Sequence, residues 1–164
     1  MSILCLDIAT TTGWALWNDP QVLSGFVCFK SEETNGHRLL NFWRALNEWH
    51  RLYDITHIFY ELPGSFQGRG HANKVVPHLI GVLELWAALH EVPIEWVSPS
   101  TLKKFATGRG QKVSKKEMLD AASKLWQKAI TDHNEADALL ILKYFMVQYD
   151  YQSTRQSPDA AQAV

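Results

Sequence analysis

Three apolar runs follow one another closely at the start of the chain. SILCLDI (2–8), GWALWN (13–18) and QVLSGFVCFK (21–30) are short, rich in strand-forming residues and separated by polar or Pro-containing turns. They predict three strands in an antiparallel meander, with the second turn at Asp19-Pro20. Over 37–53 the period changes: Leu39, Phe42, Trp43, Leu46, Trp49 and Tyr53 recur at helical spacing and predict an amphipathic helix. THIFYE (56–61) is a fourth strand, and a helical return into it favours parallel pairing beside the first. A long apolar segment over 74–91 predicts a second helix, PIEWVS (93–98) a fifth strand, and further helical patterns cover 115–129 and 133–148.

The 74–91 helix is apolar around most of its circumference, through Val75, Val76, Leu79, Ile80, Val82, Leu83, Leu85, Trp86, Ala87 and Leu89. Such a helix must be covered on more than one side. Either the monomer buries it deeply or a second copy of the chain completes the cover; the latter predicts a homodimer through this helix.

Composition narrows the class without naming a function. With 164 residues, 46% hydrophobic and 20% charged, the chain is expected to form one globular domain over 1–149, followed by a polar, disordered tail over 150–164. No apolar stretch reaches the roughly 18 residues of a membrane span and no signal peptide opens the chain, so a cytoplasmic protein with no membrane partner is expected. Cys5 and Cys28 lie in strand-like runs and are expected to be buried, reduced thiols. The net charge of −1 hides a division. Residues 62–116 carry Arg69, Lys74, Lys103, Lys104, Arg109, Lys112, Lys115 and Lys116 against Glu84, Glu91 and Glu95, and the rest of the chain is correspondingly acidic.

Two of the strands end in acids, Asp7 and Glu61. A third acid, Asp137, stands beside the apolar run Ala138–Ile141. Asp132 with Glu135 three residues on fits a capping box, which starts a helix with Asp132 as N-cap. A carboxylate next to a buried face needs a partner, because burying it alone costs several kcal/mol or neutralises it. Lys128 or Lys143 could pair with Asp137, whereas a cation shared with Asp7 and Glu61 would satisfy all three. Hard oxygen ligands without supporting Cys or paired His favour Mg²⁺ or Mn²⁺.

In this order the motifs resemble the RuvC-like Holliday junction resolvases of the ribonuclease H superfamily, especially those of bacteriophages. ILCLDIATTTGWAL is similar to the family's first strand and turn, with Asp7 as the catalytic acid. IFYELP is similar to its second-acid strand, with Glu61. SPSTLKKFATGRGQKVSKKEM resembles the segment in which Pro precedes a Lys, a Gly-x-Gly and a further Lys, and NEADALLIL resembles the closing helix with Asp137. The resemblance runs to about residue 148. It implies an α/β ribonuclease H-like fold: a mixed five-stranded sheet, antiparallel in its first three strands and then parallel, flanked by helices.

The same resemblance implies an endodeoxyribonuclease that resolves four-way DNA junctions as a homodimer by paired, metal-dependent nicks, leaving 5′-phosphate and 3′-hydroxyl ends. Two Mg²⁺ ions per site, or Mn²⁺, would be held by Asp7, Glu61, Asp137 and Asn134. Two features depart from the family. Asn134 stands where Asp or His is usual, three residues before the last Asp, so Asp132 or Glu135 are possible substitutes. The Gly-x-Gly segment is one residue longer, which makes Lys115 the preferred match and Lys116 the alternative.

Phosphate contacts are expected from Lys103, Lys104, Arg109, Lys112, Lys115 and Lys116, which occupy 100–116 without an acid, and from Arg69 and Lys74. Phe66, in the Gly-rich loop after Glu61, either is buried or stacks on an unpaired base. GRGQKVSK lacks Walker spacing, and a two-domain ATPase would not fit in 164 residues, so no nucleotide cofactor is expected. Two other functions fit the same features: a non-catalytic DNA-structure binder with a degraded metal site, and a ribonuclease H acting on RNA–DNA hybrid.

Overall fold

The computed structural model describes residues 1–29, 34–62 and 75–149. The first three strands, β1 (Ser2–Asp7), β2 (Thr11–Asn18) and β3 (Gln21–Cys28), form the expected meander, and the β2–β3 hairpin turns at a cis Asp19-Pro20 bond. Helix α1 (Asn35–Tyr53) leads into β4 (His57–Glu61), and α2 (Val75–Leu89) leads into β5 (Ile94–Val97). The strand order is β3-β2-β1-β4-β5. β1 pairs antiparallel with β2 and parallel with β4, and β4 pairs parallel with β5. The mixed five-stranded α/β sheet is thus the expected one.

Both faces of the sheet are covered, which is why its central strands read as continuous apolar runs and not as alternating ones. Strand periodicity nevertheless sorts the side chains. Ile3, Cys5, Ala15, Trp17 and Phe59 point into a core with α3 (Pro99–Thr107), α4 (Lys115–Trp126) and α5 (His133–Gln148). Leu4, Leu6, Leu16, Ile58 and Tyr60 point the other way, against α1 and α2. Asp7 has the parity of Ile3 and Cys5, and Glu61 that of Phe59, so both acids emerge on the α5 face.

Three local expectations are corrected. Residues 99–107 form a helix and not part of a basic loop: Ser98 caps it by accepting from the Thr101 N–H, Pro99 opens it, and Gly108 closes it with φ 78°. Asp132 does cap α5, accepting from the N–H groups of Asn134 and Glu135, but Glu135 does not complete a capping box. Its carboxylate instead accepts from Ser24 Oγ at 2.6 Å and Lys128 Nζ at 3.2 Å. Finally, Cys5 is buried but Cys28 is exposed at the sheet edge, and neither forms a disulfide among the described residues.

Helix α2 packs Val75, Leu79, Ile80, Leu83, Trp86 and Ala87 into the monomer core. Val76 and Val82 are partly buried against the same core, whereas Leu85 and Leu89 stay open, 56% and 64% exposed. No described helix is long and apolar enough to cross a membrane. The 150–164 tail, Phe66, Arg69 and Lys74 lie outside the described residues.

Candidate active site

Asp7 is the last residue of β1 and stands opposite Gly13 of β2 in the antiparallel register. Gly13 has no side chain because α5 lies directly on it: a Cβ there would be 1.8 Å from the carbonyl oxygen of Asn134. This contact seats the first turn of α5 against the sheet beside Asp7. Asp137 follows one turn further along. Glu61, at the C-terminal end of the parallel neighbour β4, completes the group.

The three acids share one electrostatic environment, and each remains partly accessible. Asp7 is held well above the usual carboxylate range by burial, then by the charges of Asp137 and Glu61, with Lys115 opposing and Asp132 adding to the rise. Glu61 is pushed up to about 7 by burial and by Asp137, with Lys103 opposing. Burial is also the main cause for Asp137, raised to about 6 against the pull of His133, Lys115 and Lys103. The Oδ1 atom of Asp137 is buried with no hydrogen-bond partner. Neither expected lysine neutralises it: Lys128 is drawn to Glu135, and Lys143 lies 5.3 Å above the Trp126 ring.

A cleft of about 180 Å³ opens over Glu61 and Asp137, lined also by Lys103, Val113, Lys115, Met118 and His133; Asp7 lies behind this wall. Lys103 comes from α3, and Lys115 is the first residue of α4, whose N-terminus is fixed by a reciprocal Ser114–Glu117 capping box. Asn134 is not in the wall. Its backbone N–H and side-chain amide both donate to Asp132 Oδ1, at 2.8 and 3.3 Å. His133, which was not among the expected site residues, is in the wall. Its spacing of four from Asp137 was the only sequence signal for it.

Among the described residues, no three His, Cys, Asp or Glu side chains stand ready-made to hold a metal ion. The chemistry of the donors nonetheless fits one. Hard carboxylate oxygens that raise one another's affinity for protons, one of them with an orphaned buried oxygen, are what a divalent Mg²⁺ or Mn²⁺ would satisfy by drawing the side chains inward.

The remaining basic residues divide. Lys104, Lys112 and Lys116 are exposed, whereas Arg109 is ion-paired with Glu117 and is not a free cation. The pairing reaches across the loop between α3 and α4, from beyond the acid-free stretch in which Arg109 lies.

The fold with this site at its centre is the ribonuclease H-like fold of the RuvC proteins. The chain is similar to the Thermus thermophilus RuvC structure, with a TM-score of 0.71 and 20% identity over 92% of this chain and 97% of that one. It is similar to the T. thermophilus RuvC solved in complex with Holliday junction substrate, with a TM-score of 0.74 and 18% identity over 94% and 97%. The yeast mitochondrial Holliday junction resolvase Ydc2 matches with a TM-score of 0.61 and 14% identity, over 94% of this chain and 80% of that one. No family model and no curated protein matches the sequence.

Proposed function

We propose that the protein is a structure-selective endodeoxyribonuclease that resolves four-way DNA junctions by metal-dependent phosphodiester hydrolysis. The observation that carries this reading is the convergence of Asp7, Glu61 and Asp137 at the open end of the parallel strand pair, beneath two lysines. The likeness to RuvC and Ydc2 supports it at the level of fold.

Two divalent ions, Mg²⁺ or Mn²⁺, when bound would activate water and stabilise the departing oxygen. Asp7, coupled to both other acids, would hold the ions together with Glu61 and Asp137. Lys103 and Lys115 hold the scissile phosphate over the carboxylates, which would otherwise repel it. Water adds to phosphorus as the bond to the 3′ oxygen breaks, leaving 5′-phosphate and 3′-hydroxyl ends. Lys104, Lys112 and Lys116 extend the cationic surface along the backbone, so binding weakens steeply with salt. Two copies joined through the exposed Leu85 and Leu89 face of α2 would present two sites to a junction of near two-fold symmetry.

The test is incubation with a synthetic mobile four-way junction and, separately, an RNA–DNA hybrid, with and without Mg²⁺. Wild type should nick the junction at symmetric positions only with metal, and Asp7→Asn should bind without nicking. Preferential cleavage of the hybrid would make the protein a ribonuclease H, and junction binding without cleavage under any metal would make it a structure-binding protein.

A further inference from the structure

Alternate residues of β3 face α5. Val22 packs against the core on that side, and the Ser24 hydroxyl donates to Glu135 of α5 at 2.6 Å. Phe26 follows with the same parity, yet it belongs to neither core and stands 53% exposed. One exposed aromatic is ordinary on a protein surface. The strand register is what sets this one apart. Phe26 is paired with Gly13 and Gly13 with Asp7, while Glu61 follows Tyr60, the partner of Leu6. Phe26, Gly13, Asp7 and Glu61 therefore form one row across the sheet, on one face, at the edge where the acids emerge. Two strand spacings, about 10 Å, separate Phe26 from Asp7. Between them Gly13 contributes no side chain, and the first turn of α5 crosses over it. Behind the ring, Lys128 and Glu135 pair beside Ser24 and offset each other's charge, so recognition here falls to the ring itself.

We propose that Phe26 is a stacking platform for a base of the strand being cut, on the other side of the α5 N-terminus from Lys103 and Lys115. The proposal rests on the nuclease reading of the acidic site. A strand whose scissile phosphate lies beneath those lysines, and which leaves the cleft over the first turn of α5, reaches Phe26 within about three nucleotides at about 3.4 Å per step. A base inside a duplex is stacked on both sides, so its face meets the ring only where the duplex is interrupted, as at the centre of a four-way junction. Every base has such a face, so the contact tolerates any sequence and favours branched over linear DNA. Phe26 touches no reacting atom; it positions the strand.

The test uses the full chain in chelator, which keeps the junction uncut. 5-Iodouracil, which photo-crosslinks to a stacked aromatic ring, replaces single bases on either side of the incision point, and the crosslinked residue is identified by mass spectrometry. Wild type should crosslink through Phe26 from a position within about three nucleotides of the incision. By fluorescence anisotropy, Phe26→Ala should bind the junction about fivefold or more weakly, as loss of one stacked base does, and bind linear duplex as wild type does. Phe26→Tyr, which keeps the ring, should restore junction binding. No crosslink at Phe26, junction binding by Phe26→Ala as tight as that of wild type, or an equal loss on linear duplex overturns the inference, while metal-dependent nicking by wild type keeps the nuclease reading standing. A wild type that neither binds nor nicks the junction overturns both.

Discussion

The backbone of Asn134 rests on Gly13 so closely that a single added carbon at position 13 would overlap its carbonyl oxygen, at 1.8 Å. Because Gly13 is paired with Asp7 across β1 and β2, this contact sets where α5 delivers Asp137 relative to the first acid. Backbone is the obstacle, so no rotamer change relieves it. Gly13→Ala is expected to push the first turn of α5 off the sheet, destabilise the domain by about 1–3 kcal/mol as overpacking does, and reduce junction cleavage more than junction binding. Thermal unfolding and single-turnover cleavage of the purified variant check both parts.

Crowded carboxylates make the metal-free protein sensitive to pH. Glu61 has its affinity for protons raised from an ordinary pKa of 4.5 to about 7. The folded state therefore holds this proton more tightly than the unfolded chain does. Stability from this group is full below about pH 4.5 and is lost as pH rises through about 7. Glu61→Gln should stabilise the metal-free protein at pH 8 by on the order of 2 kcal/mol and give little gain at pH 4. Denaturant unfolding at the two pH values, in chelator, measures it. Mg²⁺ added at pH 8 should raise the stability of wild type and have little effect on Glu61→Gln.

Much of this arrangement is legible in the sequence, and the reasons are local. Strand periodicity alone puts Asp7 on the side of Ile3 and Cys5, and Glu61 on that of Phe59. The apolar runs fixed the elements that carry them. The charges of Lys103 and Lys104 mask helix α3, which the Ser98-Pro99 start and the Gly108 stop define. Arg109 and Glu117 pair across a loop whose fold no spacing rule specifies.

Glu117 tempers the cationic surface by holding Arg109. Glu117→Gln keeps a side chain able to complete the cap of α4 but releases the guanidinium. Junction affinity should rise, and the slope of log K against log salt should steepen by about one, the amount expected for one extra phosphate contact. Lys103→Ala should change the slope by a similar amount in the opposite sense. Fluorescence anisotropy titrations at several salt concentrations read both effects.

Leu85 and Leu89 are exposed on α2 at 56% and 64%, although the helix is otherwise built for burial. If this face joins two copies, Leu85→Glu with Leu89→Glu should yield a folded monomer in sedimentation velocity while wild type sediments as a dimer. The monomer should nick single strands of a junction without the paired, simultaneous incisions of the dimer. A wild type that is monomeric at micromolar concentration would remove α2 as the interface.

The most direct measurement is cleavage of a mobile four-way junction at saturating Mg²⁺ by wild type, Asp7→Asn, Glu61→Gln and Asp137→Asn, each first shown to bind the junction. Paired symmetric nicks by wild type, and a fall of about a thousandfold or more in each variant, are predicted from the loss of a charge that the cation and transition state require. Cleavage that persists in any of the three would contradict a single site shared by all of them.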